Sequence, residues 1–129
     1  MITADQLLCH LVGDYILQSD WMASRKTSSM VVASVHACCY SLPFLLLSPS
    51  WQAMTIIVCT HALIDRFRLA RYVIWLKNWI GPQGCNANWD SCNKTGYRNS
   101  QPDWLTVWLM IIADNIIHIL INGWALKYL

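Results

Sequence analysis

The chain has 129 residues, a length that suits one domain. It is 56% apolar and only 12% charged, with eight Trp and no Glu, whereas soluble domains carry about 25% charged residues. The composition reads as an integral membrane protein, and a net charge of +2 with no basic run interleaved with aromatics excludes a nucleic-acid binder.

Apolar runs predict four spanning helices over residues 2–17, 30–47, 51–64 and 104–126. Several are short against the roughly 20 residues a bilayer-crossing helix needs. The first run has neither a basic flank nor a small-residue cleavage site, so it reads as a retained helix and not a signal peptide. "QSDWMASRKTSS" separates it from the second run, in which Pro43 predicts a kink. "SPS" makes the next turn. After the third run, "DRFRLARYVIWLKNWI" mixes Arg and Lys with aromatics, as a helix lying at a membrane interface would, although it could also prolong the third helix. A polar loop at 81–103 precedes the last run. The expected fold is therefore all-α, a single domain forming a small polytopic bundle of about four spanning helices plus one interfacial helix.

Arg25 and Lys26 follow the first span, and Arg66, Arg68, Arg71 and Lys77 follow the third. Positive charge marks the cytoplasmic side, which places the N-terminus and the "SPS" turn outward and, if the amphipathic segment does not cross, the 81–103 loop inside and the C-terminus outward. Trp21, Trp51, Trp75, Trp79, Trp104 and Trp124 lie near segment ends as interfacial anchors. Of the six cysteines, Cys9, Cys38, Cys39 and Cys59 sit in apolar runs and read as packing residues. Cys85 and Cys92 share the polar loop, where they pair only if that loop faces an oxidising compartment.

The four histidines, His10, His36, His61 and His118, all lie in apolar runs. Three have an aspartate four residues away: "HLVGD" (His10, Asp14), "HALID" (His61, Asp65) and "DNIIH" (Asp114, His118). Helix positions four apart stack on one face, so each pair could chelate an ion or bond internally. Buried polar groups in a bilayer are costly unless satisfied, and they commonly carry function. Measured from the basic ends of antiparallel helices, all seven groups fall in the cytoplasmic half and can converge. His36 has no carboxylate partner at this spacing and joins by depth alone, with Cys39 or Tyr40 on the next turn as supporting groups.

Imidazoles and carboxylates without an essential thiolate suit a divalent metal, Zn²⁺ foremost, with Mn²⁺, Fe²⁺ or Ni²⁺ as alternatives, and seven donors suffice for one or two ions. Arg66, Arg68 and Arg71 begin directly after Asp65, where they could hold a phosphate or anchor to anionic lipid.

"HLVGDYILQSDWMA", "HALIDRFRLARYVIWLKNW" and "DNIIHILIN", in this order, resemble the bacterial and bacteriophage membrane proteins grouped as domain of unknown function 3307. The resemblance covers nearly the whole chain apart from the Cys-containing loop. It implies a bacterial or phage-encoded inner-membrane protein and carries no activity with it.

The leading expectation is a metal-dependent membrane hydrolase acting on a small phosphorylated or lipid-like substrate at the cytoplasmic leaflet, with Asp14 or Asp114 as general base. Membrane lipids are the expected surroundings, and so small a bundle suits a homo-oligomer. A module carrying ions or protons, a non-enzymatic phage or host factor with a structural metal, and a soluble helical bundle are the other readings.

Overall fold

The computed structural model describes residues 2–81 and 88–129, and among these every regular element is helical. Cys85 lies outside the described residues, and its pairing with Cys92 with it. The chain divides into two compact units, Met1–Phe67 with His118–Leu129, and Arg68–Ile117.

In the first unit, α1 (Ala4–Leu11) starts at Thr3, whose hydroxyl accepts from the Gln6 amide at 3.2 Å. It continues as a π-helical turn over Val12–Ile16, closed by the Leu17 amide bonding to the Val12 carbonyl at 3.0 Å. The segment 2–17 is therefore not one α-helix. Gly13 lies in this turn because a Cβ there would meet the Tyr40 carbonyl oxygen and, at 2.8 Å, the Tyr40 ring.

A short helix the apolar pattern does not reveal, α2 (Asp20–Arg25), follows in "SDWMASR", with Ser19 capping it by accepting from the Met22 amide. α3 (Met30–Ser41) is capped by Ser29 and tightens into a 3-10 turn over Leu42–Leu47, where Pro43 removes a backbone donor. Ser48 ends it in the left-handed region. α4 (Trp51–Phe67) starts where Ser50 accepts from the Ala53 amide at 3.0 Å, and it packs chiefly on α3. Cys9, Tyr40, Phe44, Ala53, Ile57 and Ala125 form the apolar core of this unit.

In the second unit, Arg68 adopts φ 51°, so the helix breaks there and α5 (Ala70–Ile80) is a separate element, not an extension of α4. α6 (Asp103–Tyr128) is a single helix whose residues 103–117 belong to the second unit and 118–128 to the first.

Among the described residues, two helical stretches, Met30–Leu47 and Asp103–Tyr128, are long and apolar enough to cross a membrane, both at mean hydropathy 1.9. The expectation of about four spans is corrected to two candidates. At about 1.5 Å per residue, the 17 residues of α4 reach roughly 26 Å against a hydrocarbon core of about 30 Å, and α1 is shorter still. The cysteines divide too: Cys9 is buried and Cys39 half-buried, while Cys38 and Cys59 are exposed and pack no core.

Candidate metal centre

The interior of the first unit is polar. His10, Asp14, His36, His61, Asp65 and His118 are all buried there, beside Gln6 and Asn122. Antiparallel packing of α3 on α4 brings His36 and His61 together, with their Nε2 atoms 3.0 Å apart. The "HALID" spacing works as helical stacking requires: His61 Nε2 lies 3.2 Å from Asp65 Oδ2, one turn later. His36 Nε2 is 3.2 Å from that same oxygen and 3.2 Å from Asp14 Oδ1. Asp14 Oδ1 stands farther from His61, at 3.9 Å.

One donor atom from each of Asp14, His36, His61 and Asp65 lies within 4.8 Å of every other. Tetrahedral coordination with bonds of about 2.0–2.2 Å places ligand atoms roughly 3.3–3.6 Å apart; four of the spacings here, at 3.0–3.2 Å, are somewhat shorter than that and one, at 3.9 Å, is longer. These buried His and Asp groups could hold a metal ion. His36, placed by depth alone in the sequence, is one of the four.

Both residues of the "HLVGD" pair bond across to α3. His10 Nδ1 bonds to the Tyr40 hydroxyl at 2.8 Å, while Asp14 turns to His36. A π-helical turn over Val12–Ile16 begins between the two and holds Asp14.

Around the four donors lies a second set of contacts. Tyr40 stacks on the His61 ring at 3.7 Å and 16° and accepts from Asn122 Nδ2 at 2.6 Å. With that amide donating to the Tyr40 oxygen, the hydroxyl still has a proton to give and a second lone pair to accept, so it can serve His10 Nδ1 in either tautomer. The Nδ1 atoms of His36 and His61 have no hydrogen-bond partner among the described residues, so each imidazole engages its surroundings through Nε2. His118 Nε2 is 3.5 Å from Asp65 Oδ1, whereas the other two imidazoles face Oδ2 of that carboxylate.

Lys26 is the functional candidate the sequence reading missed. Its Nζ lies 2.8 Å from Asp65 Oδ2, 3.3 Å from His36 Nε2 and 3.7 Å from Asp14 Oδ1. Following an apolar run, it reads as a topology signal; the clue to more was that the buried carboxylates need a nearby cation. Asn122, four residues after His118 on the same helix, carried a spacing signal of its own.

Asp114 is half-buried on α6, one turn before His118, and belongs to the second unit. The neighbouring Asn115 bonds back to the Ile111 carbonyl at 2.7 Å. Of the arginines, Arg66 donates to the Thr27 carbonyl at 2.7 Å within the first unit. In the second, Arg68 donates to the Lys94 carbonyl and Arg71 to the Asn93 carbonyl. Burial holds the Arg68 guanidinium below its ordinary pKa, the charge of Arg71 adds to this, and Asp114 opposes it.

Residues 2–121 match the family described as "Protein of unknown function (DUF3307)". No curated protein and no solved structure matches the chain. On the extent of the family match, the chain belongs to that family.

Proposed function

We propose that this member of the DUF3307 family is a metal-dependent hydrolase of the bacterial inner membrane, acting at the cytoplasmic leaflet on a phosphorylated or lipid-like substrate. The observation that carries the reading is the convergence of two imidazoles and two carboxylates in a buried polar centre. Membrane placement is supported by the outer faces of the helices. On α6, Trp104, Trp108, Ile112, Ile116, Leu120 and Trp124 recur every four residues and are all exposed. Apolar outside and polar inside is the distribution a lipid solvent favours.

In this reading His36, His61 and Asp65 hold the ion, Zn²⁺ by the chemistry of the set, because their donor atoms make the tightest triangle at 3.0, 3.2 and 3.2 Å. Bound there, the ion would lower the pKa of a water molecule for attack on a phosphoester. Asp14, displaced to 3.9 Å from His61, is placed to take the proton. Tyr40 keeps the His61 ring in plane, and Arg66, next to Asp65, offers a cation to the anionic part of the substrate.

A structural metal is the second reading, favoured by the presence of four protein donors where catalytic sites commonly keep three and an open position. The test is elemental analysis of the detergent-purified chain, with phosphate release measured from 4-nitrophenyl phosphate and from anionic phospholipid vesicles. Wild type is expected to carry a divalent ion and to release phosphate, and His61→Ala to lose both. Unchanged metal content and activity in the variant would overturn the proposal. Metal without hydrolysis, together with loss of helical signal on chelation, would select the structural reading.

A further inference from the structure

Lys26 touches three of the four candidate donors. Its Nζ is 2.8 Å from Asp65, 3.3 Å from His36 and 3.7 Å from Asp14. An ammonium at those distances shares the electron-rich centre that a divalent ion would use. Two cations this close repel strongly wherever water is scarce. Burying two aspartates with no cation nearby would be costly, so Lys26 also stabilises the polar interior.

The geometry of the turn shows which part of Lys26 can move. Its amide bonds to the Met22 carbonyl at 2.9 Å as the cap of α2. The next residue, Thr27, has its carbonyl held by Arg66 of α4 at 2.7 Å. The backbone is tied on both sides, whereas the side chain is four methylenes long and 17% exposed, at the edge of the centre. Rotation about its own bonds carries the ammonium outward without moving a helix.

Resting on the metal reading above, we propose that Lys26 regulates metal loading. Its ammonium is a tethered cation that competes with a divalent ion for Asp65, His36 and Asp14 and swings outward when the ion binds. The centre therefore selects for ions that bind tightly enough to displace an internal charge, and it resists weakly bound divalent cations.

The experiment compares Zn²⁺ and Co²⁺ binding to the detergent-solubilised full chain, with the visible absorption of Co²⁺ reporting the coordination. Lys26→Met is expected to bind both ions about tenfold more tightly or better at unchanged stoichiometry, because one repelling charge is gone. Lys26→Arg keeps the charge and is expected to stay within about threefold of wild type. Lys26→Gln repeats the comparison with a neutral polar side chain, and circular dichroism checks the helices of each variant. Unchanged or weaker binding in folded Lys26→Met and Lys26→Gln, with wild type still binding, overturns the role of Lys26 and leaves the metal reading standing. A wild type that binds neither ion overturns both.

Discussion

The two compact units spend their charged side chains differently. In the first, imidazoles, carboxylates and an ammonium touch one another: His36 with Asp14, His61 with Asp65, and Lys26 across both carboxylates. In the second, the cations of α5 and its approach fasten segment 89–97. Arg71 donates to the Asn93 carbonyl and lies over the Trp89 ring at 5.5 Å, Lys77 reaches the Tyr97 hydroxyl, and Asn78 donates to the Gly96 carbonyl. Tyr72 stacks on Trp89 at 4.7 Å and 11°. A guanidinium bonded to a backbone carbonyl holds a loop. Imidazoles and carboxylates within contact of each other have unspent lone pairs and protons, and chemistry needs those.

Three substitutions can break or sharpen that contrast. The largest effect is expected from Gly13→Ala, whose new methyl would run into the Tyr40 backbone as well as its ring. Because a backbone cannot swing aside, the cost should be about 3 kcal/mol, read as a lower unfolding temperature in detergent. Metal content should fall with it, since Asp14 is the next residue. Tyr40→Phe should cost about 2 kcal/mol by leaving Asn122 and His10 without the shared hydroxyl. Its ring still stacks on His61, so the chain should keep its metal; a loss would move the Tyr40 hydroxyl into the ligand set. Arg71→Ala should cost less than about 1 kcal/mol, the scale of a partly exposed cation–π contact. It should leave metal content untouched, and a change there would mean that the second unit does more than fasten a loop.

How much of this was legible depended on whether local periodicity survived folding. "HALID" lies in an uninterrupted helix, and its pair formed as the spacing requires. "HLVGD" has the same spacing, but it runs into a π-turn at the close approach of Gly13 to Tyr40, and its residues bond to α3, His10 to Tyr40 and Asp14 to His36. No spacing rule registers a change of helix type. His36 was singled out by depth and not by motif, and it lies level with His61 because α3 and α4 run antiparallel. Lys26 was hidden because a basic residue after an apolar run already has a topological explanation. α2 went unread because its six residues carry no apolar periodicity, only the Ser19 cap. The number of spans was overestimated for a simple reason: an apolar run counts residues without counting how many ångströms of helix they make.

That, among the described residues, only α3 with its 3-10 extension and α6 meet the length and hydropathy of a crossing helix has a consequence for biogenesis. In the membrane setting proposed above, these two are the segments able to partition into lipid unaided. α4 carries His61 and Asp65 into the interior, and α1 leads to Asp14; both are too short and too polar to wait alone in hydrocarbon. They would have to follow, recruited by partners already inserted, so assembly of the polar centre and completion of the topology become one late event.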